Sequence, residues 1–159
     1  MTIIAINTLA LCKTKTGMGN YIVELVHRLP VKDNKNFYVV YMSQHNKQFF
    51  TIDALQAKKN VKIVTVPSIF THPYAKTFWE QCMLPFQLIK ENVAIYHGLG
   101  FTLPFLKNKN IRYIVTIADM TFYLYPEFHK SMYSAYFQYM IKHAVKNADV
   151  IITISKNTK

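Results

Sequence analysis

At 159 residues, 51% of them hydrophobic and 17% charged, the chain has the length of one ordinary domain and too many residues seeking burial to be a disordered segment. Its two cysteines, Cys12 and Cys82, are too few for a disulfide scaffold or a structural zinc site and suit a reducing compartment. Nineteen basic residues against eight acidic ones give a formal net charge of +11, a field that favours phosphorylated substrates, an anionic membrane surface or nucleic acid.

Residues 2–7 form a β-branched run, the pattern of a buried first strand. No Lys or Arg precedes it, so it does not read as a signal peptide. The next nine residues lead to Gly17-Met18-Gly19-Asn20, and from Met18 the apolar positions Met18, Ile22, Leu25, Val26 and Leu29 predict a helix that Pro30 should end. Glu24 and Arg28, four apart, can pair on its surface. Residues 36–42 are almost continuously apolar, as in a strand covered on both faces of a parallel sheet. A helical piece is expected over 48–57 and a third strand over 61–66.

Residues 73–92 read as a longer helical region that Pro85 should kink or split. A short fourth strand is expected over 93–96, opening into His97 and Gly98, and a fifth over 111–117. A loop rich in aromatic residues, 119–129, leads to a helix over 130–147 with the stripe Tyr133, Phe137, Met140, Ile141, Ala144 and Val145. Residues 149–155 close the series as a sixth strand. Strands and helices in alternation predict an α/β fold with a Rossmann-like open parallel sheet, helices on both faces, in one domain over 1–159. No stretch approaches the roughly 20 apolar residues of a membrane-crossing helix. The expected location is cytoplasmic, with at most peripheral contact at the inner membrane face.

In such sheets ligands meet the carboxyl ends of the strands. Gly17 and Gly19 stand where a loop enters the first helix; there glycine either lets a phosphate approach free amides or simply shapes a turn. A dinucleotide fingerprint is not matched, because Ile22 stands at the third glycine position and the second strand ends at Met42 rather than at an acidic residue. No Walker-type loop is present. His97 and Gly98, Asp119 and Ser155 follow the fourth, fifth and sixth strands. Asp119 can accept hydrogen bonds from substrate hydroxyls or cap the next segment, His97 can contact a ligand or brace the crevice wall, and Ser155 can cap a following helix. Glu127 suits free amides at a helix start, and His129 beside Lys130 suits solvent. No clustered His, Cys or carboxylates suggest a metal site.

Gly17-Met18-Gly19-Asn20-Tyr21, Tyr96-His97-Gly98 with Leu103-Pro104, residues 114–120, Tyr125-Pro126-Glu127 and residues 148–159 together resemble, in order and spacing, the N-terminal half of family 4 glycosyltransferases of the GT-B fold. The resemblance implies retaining transfer of a hexose, mannosyl, glucosyl or related, from a nucleotide-sugar to a glycan or lipid-linked acceptor. No cofactor or metal is implied, the nucleotide-sugar being a substrate. The loop Gly17, Met18, Gly19 and Asn20 would face the donor diphosphate; His97, Gly98, Asp119, Thr121, Glu127, His129 and Ser155 would line the acceptor side of the crevice, with Asp119 and His97 as catalytic candidates. Many members of the family read Thr-Ile-His-Asp where this chain has Thr116-Ile117-Ala118-Asp119, so a methyl group replaces an imidazole near the reaction centre.

The resemblance stops where the family's linker to a C-terminal nucleotide-binding domain would begin. The expectation is therefore a fragment, a truncated gene product or one subunit of a split enzyme, partnered by that domain in cis or in trans and inactive alone. The alternative is a degenerate glycan- or protein-binding module. Of the nineteen basic residues only Arg28 and Arg112 are Arg, so a nucleic-acid partner is not expected. Lys13, Lys15, Lys58, Lys59 and Lys62 are candidate contacts to an anionic membrane, and a face exposed by truncation would favour self-association.

Overall fold

The structure, a computed structural model, describes residues 1–11, 17–118, 120–124 and 131–155, the side chains of 122 and 131–134 excepted. Its strands are β1 (Ile3–Asn7), β2 (Phe37–Ser43), β3 (Val61–Val66), β4 (Ile95–Leu99), β5 (Arg112–Ile117) and β6 (Val150–Thr153). The helices are α1 (Gly17–Lys32), α2 (Ile52–Gln56), α3 (Pro73–Phe78), α4 (Leu84–Lys90), α5 (Thr121–Leu124) and α6 (Ser131–Asn147), with a π turn, Trp79–Met83, joining α3 to α4.

All six strands pair in parallel, in the order β3-β2-β1-β4-β5-β6. This is the doubly wound arrangement of a Rossmann-like domain, whose winding reverses between β1 and β4. Alternate side chains of each strand feed opposite faces of the sheet. On one face Ile6, Val40 and Met42 pack with Ile22 and Val26 of α1 and Leu55 of α2. On the other, Ala5, Val39, Tyr41, Tyr96 and Tyr113 pack with Trp79, Leu84 and Leu88 from the α3–α4 segment and Ala144 of α6. Both faces are covered by helices, which explains the unbroken apolar run of β2.

Several boundaries depart from the sequence reading. Pro30 does not end α1: it lies in the last turn, where few hydrogen bonds remain to be lost, and Asp33 N–H still reaches the Leu29 carbonyl. Residues 48–57 divide into a short 3₁₀ turn, Asn46–Phe49, and α2. The break in 73–92 falls one turn before Pro85, because a proline at the start of α4 has no N–H to return to the preceding turn. The fourth strand starts later and runs further than 93–96, so His97 and Gly98 are inside it, Gly98 lying between Asn7 and Val115. Part of the expected 119–129 loop is helical, as α5. Val145 of the α6 stripe is exposed, while Met140, Ile141 and Ala144 are buried.

Candidate functional site

The loops that leave β1, β2, β3 and β4 at their carboxyl ends converge on a cavity of about 820 Å³. That volume is within the roughly 300–1,000 Å³ of ligand sites. Leu9, Ala10 and Leu11 form its floor beside β1; Ser43, His45 and Asn46 come from the end of β2, and Ser68 and Phe70 from the turn after β3. The start of α3 supplies Tyr74, Lys76 and Thr77, and α6 closes the far wall with Tyr136 and Phe137. Hydroxyls, one amide, one imidazole and four aromatic rings make up the polar and planar surfaces. Lys76 is the single Lys or Arg of the described lining, which holds no acidic side chain.

Hydrogen bonds hold these walls in register. Thr8 Oγ1 donates to the Tyr41 carbonyl at 2.8 Å, and Asn46 Nδ2 donates to the Thr8 carbonyl at 3.2 Å, tying the loop after β2 to the loop after β1. Thr77 Oγ1 and the Tyr136 hydroxyl are 3.1 Å apart, joining α3 to α6 across the cavity wall. The loop after β4 is pressed against both β4 and the loop after β1. At Gly98 a Cβ would come within 2.7 Å of the Thr102 carbonyl oxygen, and at Gly100, with φ of +118°, one would come within 2.5 Å of Ala10 Cβ. Only glycine allows that close approach and that backbone conformation.

Two polar networks flank the reversal point, one on each face of the sheet. On the α1 face His97, 6% exposed, has Nε2 at 2.8 Å from Thr116 Oγ1, and the Tyr21 hydroxyl is 3.3 Å from the same Thr116 oxygen. The N-terminal part of α1 is thereby joined to β4 and β5. Burial drives the His97 pKa down to about 4, so the ring is neutral at physiological pH.

On the opposite face Asn7 Nδ2 donates to Glu80 Oε1 at 3.0 Å and to the Tyr96 hydroxyl at 3.3 Å, while its Oδ1 accepts from Leu9 N–H at 3.0 Å. Thr102 Oγ1 donates to Glu80 Oε2 at 3.5 Å. Glu80 is 4% exposed and is carried inward by the π turn, a helical irregularity frequent at functional sites. Burial, and after it the Glu80 charge, push the Tyr96 phenol well above its ordinary pKa. The sequence alone assigns no site role to Tyr21 or Thr116, which lie within the quoted motifs, nor to Asn7, Glu80 or Thr102. The available signal for Glu80 was its place as the one acidic residue of the apolar run 73–90.

The residues singled out from the sequence are not gathered in one place. Gly17, Met18, Gly19 and Asn20 form the first turn of α1; Gly17 is exposed and a Cβ there would meet nothing within 4 Å, while Gly19 is buried. That turn carries no acidic residue. His97 and Gly98 are not part of the cavity wall, and Gly98 bears on it through Thr102. Thr121 is exposed on α5, and Ser155 is exposed beyond β6, three strands away from β1. Asp119, Glu127 and His129 lie outside the described residues.

The lysine group expected to meet a membrane is also divided. Lys58 Nζ donates to the His27 carbonyl at 2.8 Å and Lys62 pairs with Glu91 at 2.6 Å, both at the amino-terminal edge of β3, away from the cavity. Lys13 and Lys15 are outside the described residues. Among those described, no group of three His, Cys, Asp or Glu could hold a metal ion, and no helix is long and apolar enough to cross a membrane. Comparison with protein-family models, curated proteins and solved structures finds no match for the chain. The doubly wound α/β architecture stands on the topology itself, and a fold of this kind hosts many activities.

Proposed function

We propose that the chain is the acceptor-side lobe of a retaining glycosyltransferase of the GT-B type, similar to family 4, and that it transfers no sugar until a nucleotide-binding lobe faces it in cis or in trans. The observation that carries this reading is the cavity at the strand ends, with hydroxyls and aromatic rings on its walls. Ser, Thr, Asn and Tyr groups match the donors and acceptors of a hydroxylated acceptor, glycan or lipid-linked, and aromatic faces suit its apolar ring surfaces.

The amides of Gly17, Met18, Gly19 and Asn20 would meet the donor diphosphate, where preorganised N–H groups stabilise charge growing on a leaving group. Asp119 would accept hydrogen bonds from substrate hydroxyls, with Thr121, Glu127, His129 and Ser155 on the crevice rim. His97, neutral and buried, would act as a positioning residue through Thr116 and Tyr21 rather than by touching sugar. Gly98 would keep the loop that carries Thr102 against β4.

Titration of the chain with UDP-glucose and GDP-mannose, followed by product analysis after a matching C-terminal lobe is added, tests the proposal. Weak donor binding alone and sugar transfer by the reconstituted pair are expected. Tight donor binding by the isolated chain, or no transfer by the pair, counts against it.

A second reading follows from Ala118, buried at the end of β5 where the family pattern has an imidazole. A methyl group makes no hydrogen bond to a donor sugar, which favours a degenerate module that binds a glycan or a partner protein. A stable complex with the added lobe and no transfer to any of a broad acceptor panel would favour this reading over the first.

A further inference from the structure

One group in the cavity wall is left unused by the recognition of neutral hydroxyls, the ammonium of Lys76. It stands in the last turn of α3, half-buried, and lines the cavity. No carboxylate among the described residues pairs with it. Glu80, one turn further along, has its oxygens engaged by Asn7 Nδ2 at 3.0 Å and Thr102 Oγ1 at 3.5 Å. The described lining holds no Asp, no Glu and no second Lys or Arg. A cation drawn partly out of water without a counter-charge favours an anion that completes the pair, and salt screens a partly buried pair less than a surface one.

The neighbouring hydroxyls sharpen this contrast. Thr71 Oγ1 donates to the Ser68 carbonyl at 2.6 Å, and Thr77 Oγ1 donates to the Pro73 carbonyl at 3.1 Å. With the Thr77 proton spent there, the Tyr136 hydroxyl 3.1 Å away is the donor to Thr77. These three side chains therefore meet a ligand as acceptors, which suits sugar hydroxyls that donate. Lys76 beside them can only donate, and it carries the charge. Phe70, Tyr74 and Phe137 add flat apolar faces for the C–H surface of a pyranose ring.

We infer that the cavity takes a sugar bearing a carboxylate, an acceptor of the hexuronic acid class, and that Lys76 is the residue that selects it. One lysine matches one negative charge. A phosphate monoester carries about −1.5 to −2 at pH 7 and would be left incompletely neutralised. The inference rests on the reading of the cavity as an acceptor site. Its measurement uses neither donor nor second lobe, so loss of carboxylate selectivity and loss of glycosyl transfer are separate results.

The test is calorimetric titration of the 159-residue chain with methyl glucuronide, methyl glucoside and glucose 6-phosphate. The variants are Lys76→Met, which keeps the side-chain length and removes the charge, Lys76→Arg, which keeps the charge, and Lys90→Met, an exposed lysine outside the lining. Thermal melts check that each variant folds. A hydrogen bond to a charged group supports a preference of about tenfold or more for the glucuronide over the glucoside. That preference should vanish in Lys76→Met, persist in Lys76→Arg and be unaltered in Lys90→Met. Equal affinity for glucuronide and glucoside, tighter binding of glucose 6-phosphate, the same preference in Lys76→Met, equal losses in Lys76→Met and Lys90→Met, or no binding of any of the three sugars would each overturn the inference.

Discussion

His97 Nε2 and Thr116 Oγ1 lie 2.8 Å apart on neighbouring strands, and the hydroxyl is shared with Tyr21, the residue that follows the first turn of α1. One small side chain thus links the helix start proposed to face a diphosphate to the interior of the sheet. Thr116→Val keeps the shape and removes both partners, leaving a buried imidazole nitrogen unsatisfied. A loss of about 1–3 kcal/mol in urea denaturation is expected, with Thr116→Ser recovering most of it. Equal stability of the valine and serine variants would show that the hydrogen bonds carry no weight.

Acid should weaken the protein through His97. Its folded pKa is about 4, below the ordinary 6.5, so between these values the unfolded chain binds the extra proton. The stability held by the neutral ring is complete above about pH 6.5 and is lost progressively as pH falls toward 4. The shift corresponds to about 3 kcal/mol. Denaturation midpoints measured from pH 7.5 to 4.5 should fall less steeply in His97→Gln than in the parent chain. Parallel slopes would contradict the assignment.

Glu80 and Asn7 should behave as a unit. Glu80→Ala leaves the Asn7 amide with only the Tyr96 hydroxyl to donate to and is expected to cost about 1–3 kcal/mol, and Asn7→Ala leaves Glu80 with only Thr102, at a similar cost. The double variant should be less destabilised than the sum, by about 0.5–3 kcal/mol of coupling in a double-mutant cycle. Simple additivity would refute a direct interaction.

The Tyr41 hydroxyl is buried with no hydrogen-bond partner among the described residues, and its ring stands edge-on to Trp79 at 5.6 Å. Tyr41→Phe keeps the ring and removes the unpaired oxygen. Stability should be unchanged or raised by up to about 1 kcal/mol. A loss beyond 1 kcal/mol would reveal a hydrogen bond made by that hydroxyl.

Two glycines should respond in opposite ways. Gly98→Ala forces a methyl group to 2.7 Å from the Thr102 carbonyl and should cost about 1–3 kcal/mol while displacing the loop against the cavity. Gly17→Ala enters open space at a helix start and should be neutral or stabilising by up to about 1 kcal/mol. Thermal melts of the two variants make the comparison directly, and equal effects would contradict it.

What was legible in the sequence follows from how local each signal is. Residues 36–42 and 61–66 read as strands because β-branched and aromatic side chains run together there, and the alternation with helices points to the doubly wound sheet. His97 and Gly98 were misjudged as post-strand because neither residue favours a strand on its own. Pairing of Gly98 to Asn7 on one side and Val115 on the other overrides that preference. The Asn7–Glu80 contact spans 73 positions and leaves no periodic trace. The cavity was equally hidden, since its wall draws on residues from Leu9 to Phe137 that meet only once the sheet has formed.

The wider π turn reconciles two demands that a regular helix would set against each other. Tyr74 and Phe86 are twelve residues apart, which on an uninterrupted α-helix separates them by about 120° around the axis. Taking up one surplus residue in the turn reduces that divergence to about 20°. The Glu80 side chain is accommodated inside, while the exposed Tyr74 and Phe86 keep to one side of the segment.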